Sequence, residues 1–246
     1  MIIKTESENE CMRFASRVVR DTLNLVGSKV KAGVTTAELN KIAEAFILSQ
    51  GCKPSFKGYN GYPAAICASP NSQVVHGIPS RYVLKDGDII SIDVGACYKG
   101  YHGDAARTFP VGNVSEEVLR LVHITEQSFF EGIKHLKAGC RVGDVASVIQ
   151  NFAEKNGYTV VRELTGHGIG TNLHEDPSFP NFGRAGTGPI LKENQVVAIE
   201  PMINLGERYV EMWEDNWTIE TADKLPSSHY ENTVIVTKEG CEILTL

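Results

Sequence analysis

The chain has no paired cysteines, no leading apolar run and no surplus of basic residues, and each absence removes a class of protein. Its six cysteines, Cys11, Cys52, Cys67, Cys97, Cys140 and Cys241, are scattered with no CxxC among them. Zinc-finger spacing is therefore missing, and the thiols read as buried small hydrophobes of a reducing compartment rather than disulfide partners. The opening MIIKTESENE is too polar for a signal peptide, and no later stretch approaches a membrane span, so the chain is expected in the cytoplasm and off the membrane. A net charge of −6 excludes a nucleic-acid binder that works by neutralising phosphates. Pro/Ser-rich and charged linker tracts are also wanting, which leaves no place for a flexible joint. With 42% apolar and 22% charged residues over 246 positions, what remains is a globular protein with a sizeable core.

What the sequence does have is a repeat. LKDGDIISID (84–93) returns as LKENQVVAIE (191–200), each strand-like and each ending on an acid, Asp93 and Glu200. Upstream, KAGVTTAELNKIAEAFILSQG (31–51) aligns with KAGCRVGDVASVIQNFAEKNG (137–157). Leu39, Ile42, Ala43 and Phe46 match Val145, Val148, Ile149 and Phe152, with the i, i+3, i+4, i+7 spacing of one amphipathic helix face. Thr35 with Glu38 reads as a capping box, and Gly51 and Gly157 stand where helices stop. A further helix-like segment precedes each copy, roughly 8–28 and 115–136, the second with Ser115 as N-cap. Strand-rich stretches follow both. The unit is helix, helix, strands, used twice, roughly over 8–111 and 115–246. Only a short turn at Gly112–Asn113 separates the copies, so residues 1–246 read as one α+β domain with internal pseudo-symmetry.

The repeated acids suggest chemistry. In DIISIDV, Ile90, Ile92 and Val94 share one strand face, with Ser91 and Asp93 on the other. In QVVAIEP, Ala198 and Glu200 likewise share the face opposite Val197 and Ile199. A lone acid at a strand end is ordinarily solvated surface, but two at equivalent places of a repeat can face one site. If the chain folds back about residues 98–99, Asp93 falls opposite Asp104, and carboxylates that close need a proton or a cation between them. Glu200 is matched in the same way with Glu231 of HYENTVIVT, and His167 lies in the glycine-flanked TGHGIG. Four acids and one imidazole suit a pair of divalent ions (Co, Mn, Fe or Zn) able to activate water and clamp a carbonyl oxygen.

GYNGYP (58–63), HGIP (76–79), GDIISIDVGACYKGYHGD (87–104), VVRELTGHGIG (160–170), LHEDP (173–177), AIEPM (198–202), DNWT (215–218) and YENT (230–233) together resemble the type I bacterial methionine aminopeptidases over nearly the whole chain. The resemblance implies the pita-bread fold, two pseudo-symmetric helix-helix-strand repeats around a central antiparallel sheet with a dinuclear metal site. It also implies the reaction: removal of the N-terminal methionine from nascent proteins and peptides whose second residue is small. By the same resemblance Asp104 and Glu231 would bridge both metal ions, Asp93 would bind one, and His167 and Glu200 would complete the other. Glu200 would also accept the proton of the attacking water. His76 and His174 would contact the substrate, and Tyr59, Tyr62, Cys67 and Trp217 would surround its methionine, whose thioether packs well against aromatic edges. The implied partners are the N-termini of nascent polypeptides, met by a monomer in passing proximity to the ribosome.

Two positions depart from the family pattern. Asn232 stands where type I members usually have His, which predicts altered surroundings for Glu231. Leu173 stands where Phe is common, which predicts a looser methionine pocket. The alternatives are an Xaa-Pro aminopeptidase or prolidase on the same fold, and a non-enzymatic peptide-binding module. Asn232 favours the first mildly, and the short lead before the first helix speaks against it. Five intact ligand positions speak against the second.

Overall fold

The computed structural model describes residues Met1–Leu246. Four helices form where the repeat predicts them. α1 (Glu6–Gly27) and α2 (Thr36–Ser49) precede the first strands, and α3 (Glu116–Ile133) and α4 (Val142–Lys155) precede the second set. At the start of α2, Thr35 Oγ1 accepts from the Glu38 N–H at 3.2 Å, while the Glu38 carboxylate accepts from the Thr35 N–H at 2.7 Å. This reciprocal pair satisfies two donors that a helix N-terminus otherwise leaves without partners. Ser115 caps α3 as expected. At α4 the cap residue is Arg141, whose N–H donates to Asp144 at 2.7 Å. Gly51 and Gly157 follow α2 and α4 at φ of 72° and 91°, the left-handed turn that a residue without Cβ adopts most cheaply.

The first sheet is built around β1 (Ile66–Pro70), β2 (Ile89–Tyr98) and β3 (Tyr101–Pro110), antiparallel in the order β1-β2-β3, with the short Lys53–Pro54 segment also pairing with β2. Its Ile90, Ile92, Val94 and Ala96 pack under Val19, Leu23, Leu39 and Ile47 of the two helices. The second half contributes β4 (Gly166–Gly168), β5 (Glu175–Phe179), β6 (Val196–Ile199), β7 (Met202–Asn204), β8 (Ser227–His229) and β9 (Asn232–Val236). β6 pairs with β9, and β7 with β8, in one continuous register that sets Ile199 opposite Asn232 and Met202 opposite His229. They form one long ribbon, broken at Glu200–Pro201 and Tyr230–Glu231. Pro201 cannot donate a ladder bond, which locates the break, and the Tyr230 N–H donating to Pro201 O at 3.1 Å carries the register across it. Phe129, Val145 and Ile149 cover this ribbon through Val197, Ile199 and Val234.

The halves meet along β3. Ala106 and Glu231 exchange backbone hydrogen bonds of 3.3 and 3.0 Å. A third core cluster draws Met12, Tyr62 and Cys67 from one half and Ile169, Leu173 and Val196 from the other. All six cysteines are free thiols. No helix is long and apolar enough to cross a membrane.

The β2–β3 hairpin corrects one expectation. Its turn is Lys99–Gly100, with φ of 49° and 86°, so Asp93 lies opposite Ala106 and Asp104 opposite Gly95. Two central residues at positive φ give the hairpin turn whose twist matches the strands, and this fixes the register. The shift from the expected pairing is two residues, so both acids keep a common face. They are diagonal neighbours on it rather than directly opposed.

Candidate metal and peptide site

Strand ends and the ribbon break gather the acids. Asp93 and Asp104 project from β2 and β3. Glu200 and Glu231 face each other at the break if the β6–β9 register is continued by one residue. His167 is the middle residue of β4. A Cβ on Gly166 would meet Ala198 O at 2.4 Å, and one on Gly168 would meet Asp176 O at 2.2 Å, so only glycine at both flanks lets β4 lie between its neighbours. His167 Nε2 is 3.9 Å from Asp104 Oδ2 and 3.7 Å from Glu200 Oε1. One ligand atom from each of Asp104, His167 and Glu231 lies within 4.8 Å of the others. His167 Nδ1 donates to Gly168 O at 2.9 Å, which leaves Nε2 as the nitrogen with a free lone pair.

These groups are costly to keep charged. Burial raises the Glu200 carboxyl to about 8. Burial, with Glu200 nearby, raises Asp93 to about 7 against the opposing pull of His229. Asp104 is pushed well above the carboxylate range by burial and then by Asp93, and Glu231 by burial and then by Asp104. Burial holds the His167 imidazole neutral, its pKa lowered to about 3. Asp93 Oδ1, Asp104 Oδ1 and Glu231 Oε1 are buried without any hydrogen-bond partner. Buried oxygens are nearly always paired, so acceptors crowded this way beside a lone-pair nitrogen fit divalent cations. Asp104 is held at its backbone: its N–H donates to Thr233 Oγ1 at 2.9 Å, and that hydroxyl donates back to Asp104 O at 2.8 Å.

The acids floor a cavity of about 340 Å³, and every site residue expected from the sequence lines it. Tyr62 and Trp217 meet edge-on at 5.1 Å between ring centroids. The Tyr62 hydroxyl donates to Gly77 O at 3.0 Å, which fixes that ring against the wall. His174 Nδ1 lies 2.9 Å from the Tyr59 hydroxyl, with its ring 4.2 Å from that of His167. His76 is held at φ 60°, a left-handed conformation that costs a non-glycine residue ~1–2 kcal/mol. Burial lowers its pKa to about 4, so its ring is neutral near pH 7. Leu173, 2% exposed, forms part of the same wall.

The Asn232 side chain turns away from the acids. Its Oδ1 accepts from Arg107 Nη2 at 2.6 Å and from Thr245 Oγ1 at 2.9 Å. Arg107 also donates to Glu231 O at 2.5 Å and lies 4.3 Å over the Tyr230 ring. Asn232 thus reaches Glu231 through the backbone and Arg107 rather than through its carboxylate. Sequence reasoning missed Arg107, Thr233, Phe56 and His229. Three of these act through contacts between distant segments, which leave no local signal. His229 did leave one, because it stands two residues before Glu231, the spacing that shares a strand face. Its Nε2 is 3.6 Å from Glu200 Oε2 and 3.9 Å from Glu231 Oε2.

Comparison with known proteins agrees with this geometry. The model of metallopeptidase family M24 matches residues 10–238. The methionine aminopeptidase of Clostridium perfringens is 53% identical over 246 residues, covering 100% of this chain and 99% of that protein. The crystal structure of methionine aminopeptidase from Rickettsia prowazekii has a TM-score of 0.97 at 43% identity, covering 100% of both chains. Prolidase from Pyrococcus furiosus has a TM-score of 0.82 at 24% identity, covering 100% of this chain and 65% of that one, a likeness of fold alone.

Proposed function

The chain belongs to metallopeptidase family M24, and from that premise we propose how its residues act as a methionine aminopeptidase. The reaction is removal of the N-terminal methionine from polypeptides whose second residue is small. One observation carries the assignment of roles: the buried acids and His167 line the same cavity as Tyr59, Tyr62, Cys67 and Trp217. Asp104 and Glu231 would serve both of two divalent ions, Asp93 would hold one, and His167 and Glu200 would hold the other. When bound, such ions polarise the scissile carbonyl and make water a better nucleophile at neutral pH.

The chain's own residues supply binding, orientation and proton transfer. Tyr59, Tyr62, Cys67 and Trp217 take the methionine side chain, with Leu173 widening the pocket on one side. A Glu200 carboxylate oxygen takes the proton of the attacking water. His174, its Nδ1 engaged by the Tyr59 hydroxyl, presents Nε2 to the substrate, and neutral His76 presents its ring from the other edge. Both can donate to charge developing on the carbonyl oxygen. A bulky second residue would push that carbonyl out of place, and an error of ~1 Å can cost ~10²-fold in rate. Residues 1–246 act as one catalytic domain, a reading supported by the core cluster that both halves share. The enzyme works as a monomer in the cytoplasm on the N-termini of nascent polypeptides near the ribosome, with Co, Mn, Fe or Zn as its native metal.

Chelation should abolish activity, and Mn, Co or Fe should restore it. Asp104→Asn should be inactive, because a bridging ligand loses its charge. Full activity of that variant without added metal would sink the dinuclear reading.

A further inference from the structure

His174 sits on a segment whose backbone is fixed and whose ring is held at one point. Leu173 beside it is buried in the core cluster that both halves share. Glu175 on the other side accepts from the Asn172 N–H at 2.9 Å and from Thr171 Oγ1 at 3.2 Å. The His174 side chain itself is exposed, and its one hydrogen bond is the 2.9 Å contact between Nδ1 and the Tyr59 hydroxyl.

Tyr59 comes from the other half of the chain, on a closed turn over residues 58–62. There the Gly58 N–H donates to Tyr62 O at 2.8 Å, and the Tyr62 N–H donates to Tyr59 O at 2.9 Å. Gly58 and Gly61 take φ of 86° and 87°, which glycine adopts without strain. The Tyr59 ring packs against the cluster that holds Tyr62, Cys67 and Leu173, and it lies 5.2 Å from the His174 ring. Its hydroxyl has His174 as its one partner. A single side chain is thus both a wall of the methionine pocket and the tether of the imidazole that faces the substrate. A hydrogen bond open to water adds little, because water competes for both ends. A thioether chain seated on Tyr59 would exclude that water, and the same bond strengthens in less polar surroundings.

We propose that Tyr59 is a positioning residue that couples the methionine pocket to His174, so that filling the pocket aligns Nε2 for the reaction. The coupling rests on the proposed aminopeptidase reading. Methionine is then recognised in turnover as well as in binding, because a remote side chain acts at the reacting centre.

Steady-state kinetics of the Mn-loaded wild type, Tyr59→Phe, His174→Ala and the double variant tests this. The substrates are a methionyl-alanyl peptide and its norvalyl analogue, whose first side chain is shorter and has no sulfur. Phe keeps the ring and removes the hydroxyl. Tyr59→Phe should lower kcat on the methionyl peptide by ~10-fold, part of the ~10²-fold that losing an oxyanion donor costs, with KM within ~2-fold. In the His174→Ala background the same change should alter kcat by less than ~2-fold, since the hydroxyl then has nothing to hold. Norvaline in place of methionine should lower kcat by ~10-fold in the wild type and by less than ~2-fold in Tyr59→Phe. Metal content, read by elemental analysis, should match between wild type and Tyr59→Phe. Equal loss from Tyr59→Phe with and without His174, an unchanged kcat, or metal loss in that variant would overturn the proposal and leave the aminopeptidase reading standing. A wild type that turns over both peptides equally would overturn it without any variant. A wild type that releases methionine from neither enzyme preparation nor peptide concentration tried would overturn that reading as well.

Discussion

Replacing Glu200 by Gln should make the metal-free protein progressively more stable relative to wild type as pH rises. Burial raises the folded-state pKa of this carboxyl from 4.5 to about 8. Between those values the folded state holds a proton that the unfolded state has released, so stability falls as pH rises through the window. At ~1.4 kcal/mol per pH unit, the penalty at pH 7 is on the order of 3 kcal/mol, and it levels off above pH 8 near 5 kcal/mol. Gln cannot ionise and escapes this penalty. Burying its amide without full pairing costs ~1–3 kcal/mol, but that cost does not vary with pH. The slope is therefore the diagnostic quantity, rather than the stability at any one pH. Urea denaturation of chelated wild type and variant at pH 5, 7 and 8.5 measures it. The wild-type midpoint should fall across the series more steeply than that of the variant. Added Mn should reverse the order, because Gln is the poorer ligand. Parallel profiles in chelator would refute the claim that burial of Glu200 strains the metal-free fold.

Other perturbations separate the roles within the site. His76→Ala and His174→Ala should lower turnover with metal content nearly unchanged, whereas His167→Ala should lose metal, and elemental analysis of the three distinguishes them. Thr233→Val, of nearly equal shape, leaves the Asp104 N–H and C=O without their shared partner. It should lower unfolding stability by ~2–4 kcal/mol and weaken metal binding, as read by denaturation and by titration with metal. Tyr62→Phe removes the hydroxyl that pins the pocket wall to Gly77 O, and should raise KM for methionyl peptides more than it lowers kcat.

Much of the fold was legible because the chain states it twice. Helix faces at Leu39, Ile42, Ala43 and Phe46, and at Val145, Val148, Ile149 and Phe152, repeat with their caps and glycine stops. Local chemistry alone fixes those boundaries. The hairpin register differs from the expected pairing by two residues because it depends on backbone angles at Lys99 and Gly100, which composition does not specify. A shift of two keeps each residue on its face, so the site is the same in either register. The acids and His167 were legible from their places in the repeat, and His76, His174 and the aromatic pocket only through family resemblance. Thr233 and Arg107 were not legible at all, for each holds a buried acid more than a hundred residues away in sequence. Asn232 bears on the surroundings of Glu231 through Arg107. Its side chain answers to Arg107 and Thr245, and the carboxylate of Glu231 is left to the other acids.

The metal-bearing cavity accepts, on the proposed reading, a terminal methionine followed by a small residue. Release of the first residue from Met-Ala, Met-Ile and Ala-Pro peptides by the Mn-loaded protein tests it most directly. Rapid release from Met-Ala, release from Met-Ile slower by ~10²-fold and none from Ala-Pro is the predicted result. Faster cleavage of Ala-Pro than of Met-Ala, or equal rates on Met-Ala and Met-Ile, would contradict it.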